Sequence, residues 1–216
     1  MFRIHFRQCQ NERCRFRFPV TTPEMLGEIC PRCGTKTAVV AEAAHQRPAE
    51  TTAVSNTPPV SALLDNIRSV FNVGAMFRTA DGAGLHHLYL CGITCTPEHP
   101  KLAKTSLEAE QHVPWTYSPN GVDTAVSLKN NGYQLWAIEG TPHARPLFQL
   151  PPPPHTHPIL LIVGNERAGT DPDILAICDH TFWIPMHGQK ESLNVAVAFG
   201  IAAYVIRHHL QQATQP

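Results

Sequence analysis

The chain has 216 residues, 43% of them hydrophobic and 16% charged, which is enough for one domain with a sizeable core and a small additional module. Its 17 Lys and Arg balance its 17 Asp and Glu, which excludes a surface coated with basic charge for nucleic acid and an acidic disordered tail. The balance is uneven, because residues 1–47 contain eight basic and four acidic residues and residues 48–216 contain nine and thirteen. The sequence therefore predicts a basic head on an acidic body.

No segment of the chain has the pattern of a signal peptide or a membrane span. Residues 1–7 contain no apolar run of signal-peptide length. The apolar stretches at residues 159–164 and 195–206 are too short, or too rich in Ala and Gly, to cross a bilayer. We expect a soluble cytoplasmic protein without a membrane partner, whose seven cysteines stay reduced.

Four of the seven cysteines lie in the head at a spacing typical of a metal site. Two pairs, Cys9-x4-Cys14 and Cys30-x2-Cys33, are separated by fifteen residues, so each short loop can present two sulfurs to one ion. Four thiolates in this pattern bind a structural zinc ion. We predict a zinc-ribbon-like module over residues 1–37 that holds one zinc ion, although the spacing equally permits iron.

Arg13, Arg15 and Arg17 alternate with Cys14 and two phenylalanines. This alternation predicts a strand with one face toward the core and one face that carries guanidinium groups. The arginine face is either a solvated surface or a surface that contacts nucleic-acid phosphates. Residues 38–59, which are rich in Ala, Thr and Pro and lack aromatic residues, are predicted to be a flexible linker.

After the linker, apolar strand-like runs alternate with helical patterns, which predicts an α/β domain: a parallel sheet with helices on both faces. The predicted strands span residues 61–67, 86–91, 134–138, 159–163 and 181–184, and the predicted helices residues 72–82, 122–130, 173–177 and 192–212. Ligands bind such sheets beyond the carboxyl ends of the strands. Residues that directly follow the strands are therefore candidates for the site.

Three polar segments that contain glycine occur at such positions: residues 66–80, 162–169 and 184–198. Familiar nucleotide sites do not account for them. The chain has no Gly-x4-Gly-Lys-Ser/Thr loop, and residues 82–87 lack the third glycine of a dinucleotide-binding turn and precede a strand. A serine hydrolase is not indicated either, since no Gly-x-Ser-x-Gly turn is present.

The three segments contain Asn72-Val73-Gly74-Ala75-Met76-Phe77-Arg78, Gly164-Asn165-Glu166 and Ser192-Leu193-Asn194. In this order and spacing they resemble the SpoU/TrmH family of the SPOUT methyltransferases, over about residues 60–210. The resemblance implies a trefoil-knotted domain over residues 60–216 that acts as a homodimer. It also implies methyl transfer from S-adenosylmethionine to a ribose 2′-OH of RNA, with transfer RNA as the expected substrate and ribosomal RNA as the alternative. The four-cysteine module is not part of this family pattern.

The resemblance assigns roles position by position. Arg78 matches the catalytic arginine, and the other catalytic positions are matched by Asn72, Glu166, Ser192 and Asn194. The positions that contact the cofactor are matched by Gly164, Ile184 and Leu193, with Met186 nearby. The residues themselves agree in kind, since a glycine after a strand lets the backbone approach a ligand closely and a serine before an Ala/Val-rich helix is a suitable N-cap.

Two mechanisms for Arg78 remain open. The resemblance makes it the general base, but a guanidinium has a pKa above about 12, so deprotonation at neutral pH costs on the order of 7 kcal/mol. Alternatively, Arg78 stays charged and stabilises a developing alkoxide. A non-catalytic RNA-binding or assembly factor is the alternative function, whereas a zinc-dependent hydrolase conflicts with a four-thiolate site that has no open coordination position. The basic head is a candidate RNA clamp in either case.

Overall fold

The computed structural model describes residues 4–21, 27–43, 57–151 and 157–213. The chain forms two compact units, Met1–Ala53 and Val54–Pro216. The first unit contains an antiparallel sheet in the order β2-β1-β3, formed by β1 (Ile4–Cys9), β2 (Arg17–Thr21) and β3 (Thr37–Glu42). Strand β3 includes the first residues of the predicted linker, so the linker prediction begins too early. Residues 44–56 of that linker lie outside the described residues.

The second unit contains a seven-stranded sheet in which all the paired strands are parallel, in the order β6-β5-β4-β9-β7-β10-β8. Its strands are β4 (Val60–Asp65), β5 (Leu88–Cys91), β6 (Trp115–Ser118), β7 (Gln134–Ile138), β8 (Arg145–Pro146), β9 (Ile159–Val163) and β10 (His180–Trp183). Its helices are α1 (Val70–Ala83), α2 (Ala103–Ser106), α3 (Gly121–Asn130), α4 (Pro172–Ile177) and α5 (Val195–Ala213), with a short 3-10 helix at Ala109–Gln111.

Alternate residues of the central strands pack into two separate hydrophobic cores. Leu161 of β9 belongs to the core that contains Phe77 of α1 and Phe199 of α5, whereas its neighbour Ile162 belongs to the core that contains Ile174 of α4, along with residues of α3. Successive strand residues point to opposite faces of a sheet, so α1 and α5 cover one face and α3 and α4 cover the other. This arrangement confirms the predicted α/β class; the trefoil knot stays a prediction.

Differences from the predicted elements lie at ends and in short segments. Strand β4 ends at Asp65 because Asn66 adopts a left-handed backbone conformation with φ of 56°. Helix α5 begins at Val195 and not at Ser192. The short elements β6, β8 and α2 were not predicted, since their two to four residues form no apolar run. None of the described helices combines the length and the apolar character that a membrane crossing requires.

Candidate functional site

A cleft of about 400 Å³ opens where β7, β9 and β10 end. Ile138 is the last residue of β7, Gly164 directly follows β9, and Trp183 is the last residue of β10. The volume lies in the range of small-molecule sites. The cleft therefore occupies the place where the carboxyl ends of a parallel sheet are expected to bind a ligand.

The cleft brings together the residues that the resemblance assigned to the cofactor. Gly164, Ile184, Met186 and Leu193 all line it. Three of the predicted catalytic residues, Glu166, Ser192 and Asn194, line it as well, but Asn72 and Arg78 are not among the lining residues. The remaining lining residues are Ile138, Glu139, Gly140, Asn165, Arg167, Gly169, Trp183, Glu191, Val195 and Ala198.

The carboxylate of Glu166 holds the start of α1 against the loop after β9. One of its oxygens accepts a hydrogen bond from the backbone amide of Arg68 at 2.9 Å, and the other accepts from the backbone amide of Ser69 at 3.0 Å and the side-chain nitrogen of Asn72 at 2.9 Å. Burial raises the pKa of Glu166, but these hydrogen bonds outweigh it and lower the pKa overall. The contacts are therefore present at neutral pH and are lost as the pH falls through the lowered pKa.

Asn72 also connects this carboxylate to the last helix. Its side-chain oxygen accepts a hydrogen bond from the side-chain nitrogen of Asn194 at 3.1 Å. The oxygen of Asn194 in turn accepts from the backbone amides of Ala196 at 2.9 Å and Val197 at 3.3 Å. Asn194 is therefore the N-cap of α5, and the prediction of this role for Ser192 is wrong. Ser192 lies two residues earlier, exposed at the cleft.

Gly164 is required by its own loop. A Cβ atom at this position would collide with the backbone of Gly169 and Thr170, where the chain folds back through hydrogen bonds of 2.9 Å between Asn165 and Gly169. The sequence predicted a glycine that admits a ligand. In the structure, glycine is also required because any side chain at this position would collide with the backbone of Gly169 and Thr170.

Arg78 projects from the exposed surface of α1. Among the described residues, its side chain has no hydrogen bond and no ion pair. An arginine without an internal partner keeps its full set of donors for a ligand. The lack of partners is compatible with either mechanism proposed for Arg78.

The sequence analysis missed Glu139, which directly follows β7 and lines the cleft. Its carboxylate accepts a hydrogen bond from the backbone amide of Thr170 at 2.9 Å, so it holds the same loop that carries Glu166. Trp183 and Glu191 also line the cleft and were missed. The carboxyl-end rule applied to every predicted strand would have found Glu139.

The four cysteines of the first unit form a compact cluster. The sulfur atoms of Cys9, Cys14, Cys30 and Cys33 all lie within 4.8 Å of one another. The sulfurs of Cys9 and Cys33 are 3.5 Å apart, and those of Cys14 and Cys30 are 3.8 Å apart. In a tetrahedral zinc site with bonds of about 2.3 Å, the sulfurs are separated by about 3.8 Å. The cluster has the dimensions of such a site.

The second unit is similar to known RNA methyltransferases. The model of the SpoU rRNA Methylase family matches residues 59–204. The 23S rRNA (guanosine(2553)-2'-O)-methyltransferase RlmP of Bacillus subtilis (strain 168) is 34% identical over 147 residues, which cover 67% of this chain and 56% of that protein. The tRNA (guanosine(18)-2'-O)-methyltransferase of Aquifex aeolicus (strain VF5) is 32% identical over 146 residues, which cover 65% of this chain and 64% of that protein.

A solved structure gives the same result for the fold. The AdoMet-bound rRNA methyltransferase from Sinorhizobium meliloti aligns with a TM-score of 0.66 at 27% identity, over 71% of this chain and 57% of that chain. The chain thus spans 56% and 64% of the length of the two curated relatives. The family match contains the cleft, Asn72 and Arg78, and it begins after the four-cysteine cluster. The chain belongs to the SpoU rRNA Methylase family.

Proposed function

We propose that the protein transfers a methyl group from S-adenosylmethionine to a ribose 2′-OH of a structured RNA. The observation that carries the proposal is the linked set Glu166, Asn72 and Asn194, which joins the first, second and third motif segments beside the cleft. Transfer RNA is the first substrate to test, and ribosomal RNA is the alternative. A factor that only binds RNA has no need of this set.

The cleft suits S-adenosylmethionine by its chemistry. Apolar side chains of Ile138, Ile184 and Leu193 provide walls for an adenosine group, and the carboxylates of Glu139 and Glu191 offer negative charge to a cationic ligand. When bound, the cofactor supplies a methyl group that is already activated by its positive sulfur. The protein therefore has only to orient a 2′-oxygen and increase its nucleophilicity.

Arg78 is the residue that we propose acts on the 2′-oxygen. Its guanidinium is exposed and has no partner in the described part of the chain, so it is available to an RNA ribose or its phosphate. Asn72 lies on the same helix and is fixed by Glu166. This contact holds the start of α1, and with it the position of Arg78, relative to the cleft.

We further propose that the four cysteines hold one structural zinc ion. The ligands would be Cys9, Cys14, Cys30 and Cys33, whose sulfurs have the separations of a tetrahedral site. An all-thiolate site leaves no position for a water molecule, so the ion would have a structural role. Iron is the alternative metal, and metal analysis distinguishes the two.

A homodimer is the proposed assembly. Phe71 of α1 is 59% exposed, and Val197 and Tyr204 of α5 are 50% and 53% exposed. Large apolar side chains on neighbouring helices are typical of surfaces that another subunit covers.

The cytoplasm is the proposed location of the protein. Its seven free cysteines support this, because thiols stay reduced in that compartment.

The decisive experiment measures binding and transfer separately. Titration calorimetry with S-adenosylmethionine tests the cleft without any RNA. Incubation with labelled cofactor and with transfer RNA or ribosomal RNA from a strain that lacks the gene, followed by mapping of ribose methylation, identifies the acceptor. Absence of both cofactor binding and methyl transfer would reject the proposal.

Replacement of Glu166 by Gln is expected to reduce transfer about tenfold. The carboxamide nitrogen would face an N–H donor and leave it without an acceptor, which costs about 1–3 kcal/mol. The loss weakens the connection between the loop after β9 and the start of α1. Steady-state kcat and KM for S-adenosylmethionine check this expectation. The control is Asp81→Asn, which removes an exposed carboxylate elsewhere on α1. Equal kinetics in the two variants would contradict the proposed role of Glu166.

A further inference from the structure

We propose that one face of the first unit's sheet binds a single-stranded segment of RNA. We call it the Arg17 face. It consists of Ile4, Phe6 and Gln8 of β1, Arg17, Pro19 and Thr21 of β2, and Ala38 and Ala41 of β3. The inference rests on the proposed function, because it names the surface through which this RNA methyltransferase would hold its substrate. The sequence predicted one strand that carries Arg13, Arg15 and Arg17, but only Arg17 lies in a β-strand. The proposed surface is therefore defined by the observed sheet and not by the predicted strand.

The register of the sheet defines the face. Phe6 lies opposite Pro19, and Gln8 lies opposite Arg17, so these side chains share one side. On β2 the residues of this side are exposed, whereas Phe18 and Val20 between them are half-buried. Strand β3 places Ala38 opposite Gln8 and Ala41 opposite Phe6, with a shift of register between the two pairs at the exposed Val40.

Part of the other face of the sheet, around Phe18, Val20 and Arg7, is covered by the chain itself. Phe18 and Val20 approach the backbone of Gly27 so closely that a Cβ atom there would collide with Val20. Arg7 donates hydrogen bonds to the side-chain oxygen of Thr37 at 2.8 Å and to its carbonyl oxygen at 3.2 Å. Arg7 is therefore used internally. Among the described residues, no comparable cover is placed over the Arg17 face.

Three exposed arginines lie at or just before the start of β2, which forms part of this face. Arg13 and Arg15 precede β2 on either side of Cys14, Arg17 begins the strand, and all three are exposed. In the described part of the chain, their side chains have no hydrogen bond or ion pair. Arg15 is held in a left-handed conformation with φ of 46°. Consecutive unpaired guanidinium groups are suited to the closely spaced phosphates of RNA.

An aromatic ring lies beside these cations. The guanidinium carbon of Arg17 is 5.8 Å from the centre of the Phe6 ring. Proteins that bind single-stranded RNA combine such aromatic and guanidinium planes, on which unpaired bases stack, with cations that follow the backbone. A protein partner would favour a larger apolar centre with few charges. The combination on the Arg17 face therefore favours RNA.

Two variants of the full chain test the face, with a short single-stranded oligouridine as the probe. Replacement of Arg13, Arg15 and Arg17 together by Gln should flatten the slope of log affinity against log salt by about 2, because each phosphate contact on a single strand contributes about 0.7. Phe6→Leu keeps an apolar side chain but removes the ring, and should weaken binding about tenfold. Val39→Thr, which changes a residue opposite Arg7 that is 50% exposed, should bind like the unchanged protein.

The controls separate this inference from the proposed function. Each variant must retain the metal content of the unchanged protein, and cofactor affinity and transfer are measured at saturating RNA. Unchanged salt slopes and affinities in an enzyme that transfers methyl groups would reject the Arg17 face and leave the enzyme intact. Weakened oligouridine binding in a chain that neither binds cofactor nor methylates RNA would support the face and reject the enzyme. Equal weakening by Val39→Thr would also reject the face.

Discussion

Replacement of Arg78 by Ala is expected to reduce methyl transfer at least about 100-fold, because both mechanisms for this residue require its guanidinium. The affinity for S-adenosylmethionine should stay nearly unchanged, since Arg78 is not among the residues that line the cleft. Single-turnover transfer and calorimetry measure the two quantities separately. Arg145→Ala, which removes an exposed arginine from β8, is the matched control. Normal transfer by Arg78→Ala would reject both mechanisms.

Arg78→Lys and a pH profile distinguish the two mechanisms. If Arg78 stabilises charge, a lysine should retain a substantial part of the rate. If it acts as a base, the rate should rise about tenfold for each pH unit below the pKa that governs the reaction. A flat profile together with an active lysine variant therefore identifies the electrostatic mechanism. A steep profile together with an inactive lysine variant identifies the base.

The main features of the sheet could be predicted because each depends on short-range patterns. β9 is a continuous apolar run, which a strand buried on both faces requires. The end of β4 was predicted at Ile67, which is 1% exposed like the strand residues, although the polar Asp65 and Asn66 precede it. The left-handed backbone of Asn66 ends the strand before it, and burial of Ile67 then arises from tertiary packing.

The chemical identity of the site residues was available from the sequence, but their interactions were not. Asn194 lies two residues after the predicted cap Ser192 in the motif, and only the geometry shows that the amide side chain of Asn194 caps α5. The bond between Asn72 and Asn194 joins residues 122 positions apart. Such contacts depend on how distant strands are ordered in the sheet, which no local pattern reveals.

In the first unit, the contact between distant residues was predicted from the sequence, but the local secondary structure was not. The cysteine spacing predicted the cluster correctly, because four ligands for one ion restrict the spacing strongly. The predicted alternation around Arg15 was wrong, since the backbone amides of Cys14 and Arg15 both donate to the carbonyl oxygen of Asn11 in a turn, which Arg15 leaves in a left-handed conformation. The geometry of the four-cysteine cluster thus overrides the strand pattern.

Replacement of Cys30 by Ser is expected to unfold the first unit and leave the second unit intact. The described part of the first unit contains only three buried residues: Cys9, Cys30 and Thr37. A unit of this size whose described residues form no hydrophobic core is expected to need a metal or covalent links for stability. Zinc in a four-ligand site contributes about 10–16 kcal/mol, which is comparable with the whole stability of a small domain.

Three measurements check this expectation on the full chain. Metal analysis should find one zinc ion per unchanged chain and little in Cys30→Ser. Limited proteolysis should then cleave within residues 1–53, while the affinity for S-adenosylmethionine is retained because the cleft residues all belong to the second unit. Cys95→Ser, which changes a half-buried cysteine of the second unit, should have no effect on metal content.

A chelator experiment decides what stabilises the first unit. If it is the metal, a chelator should reproduce the effect of Cys30→Ser on the unchanged protein, and added zinc should reverse the effect of the chelator but not that of the substitution. Oligouridine binding through the Arg17 face should be lost in parallel, since β1 ends at Cys9 and β2 follows Cys14, and both belong to the four-cysteine cluster. A folded, metal-free Cys30→Ser variant would show that the sheet is stable without the ion, and the cluster would then have to be explained by a role other than folding.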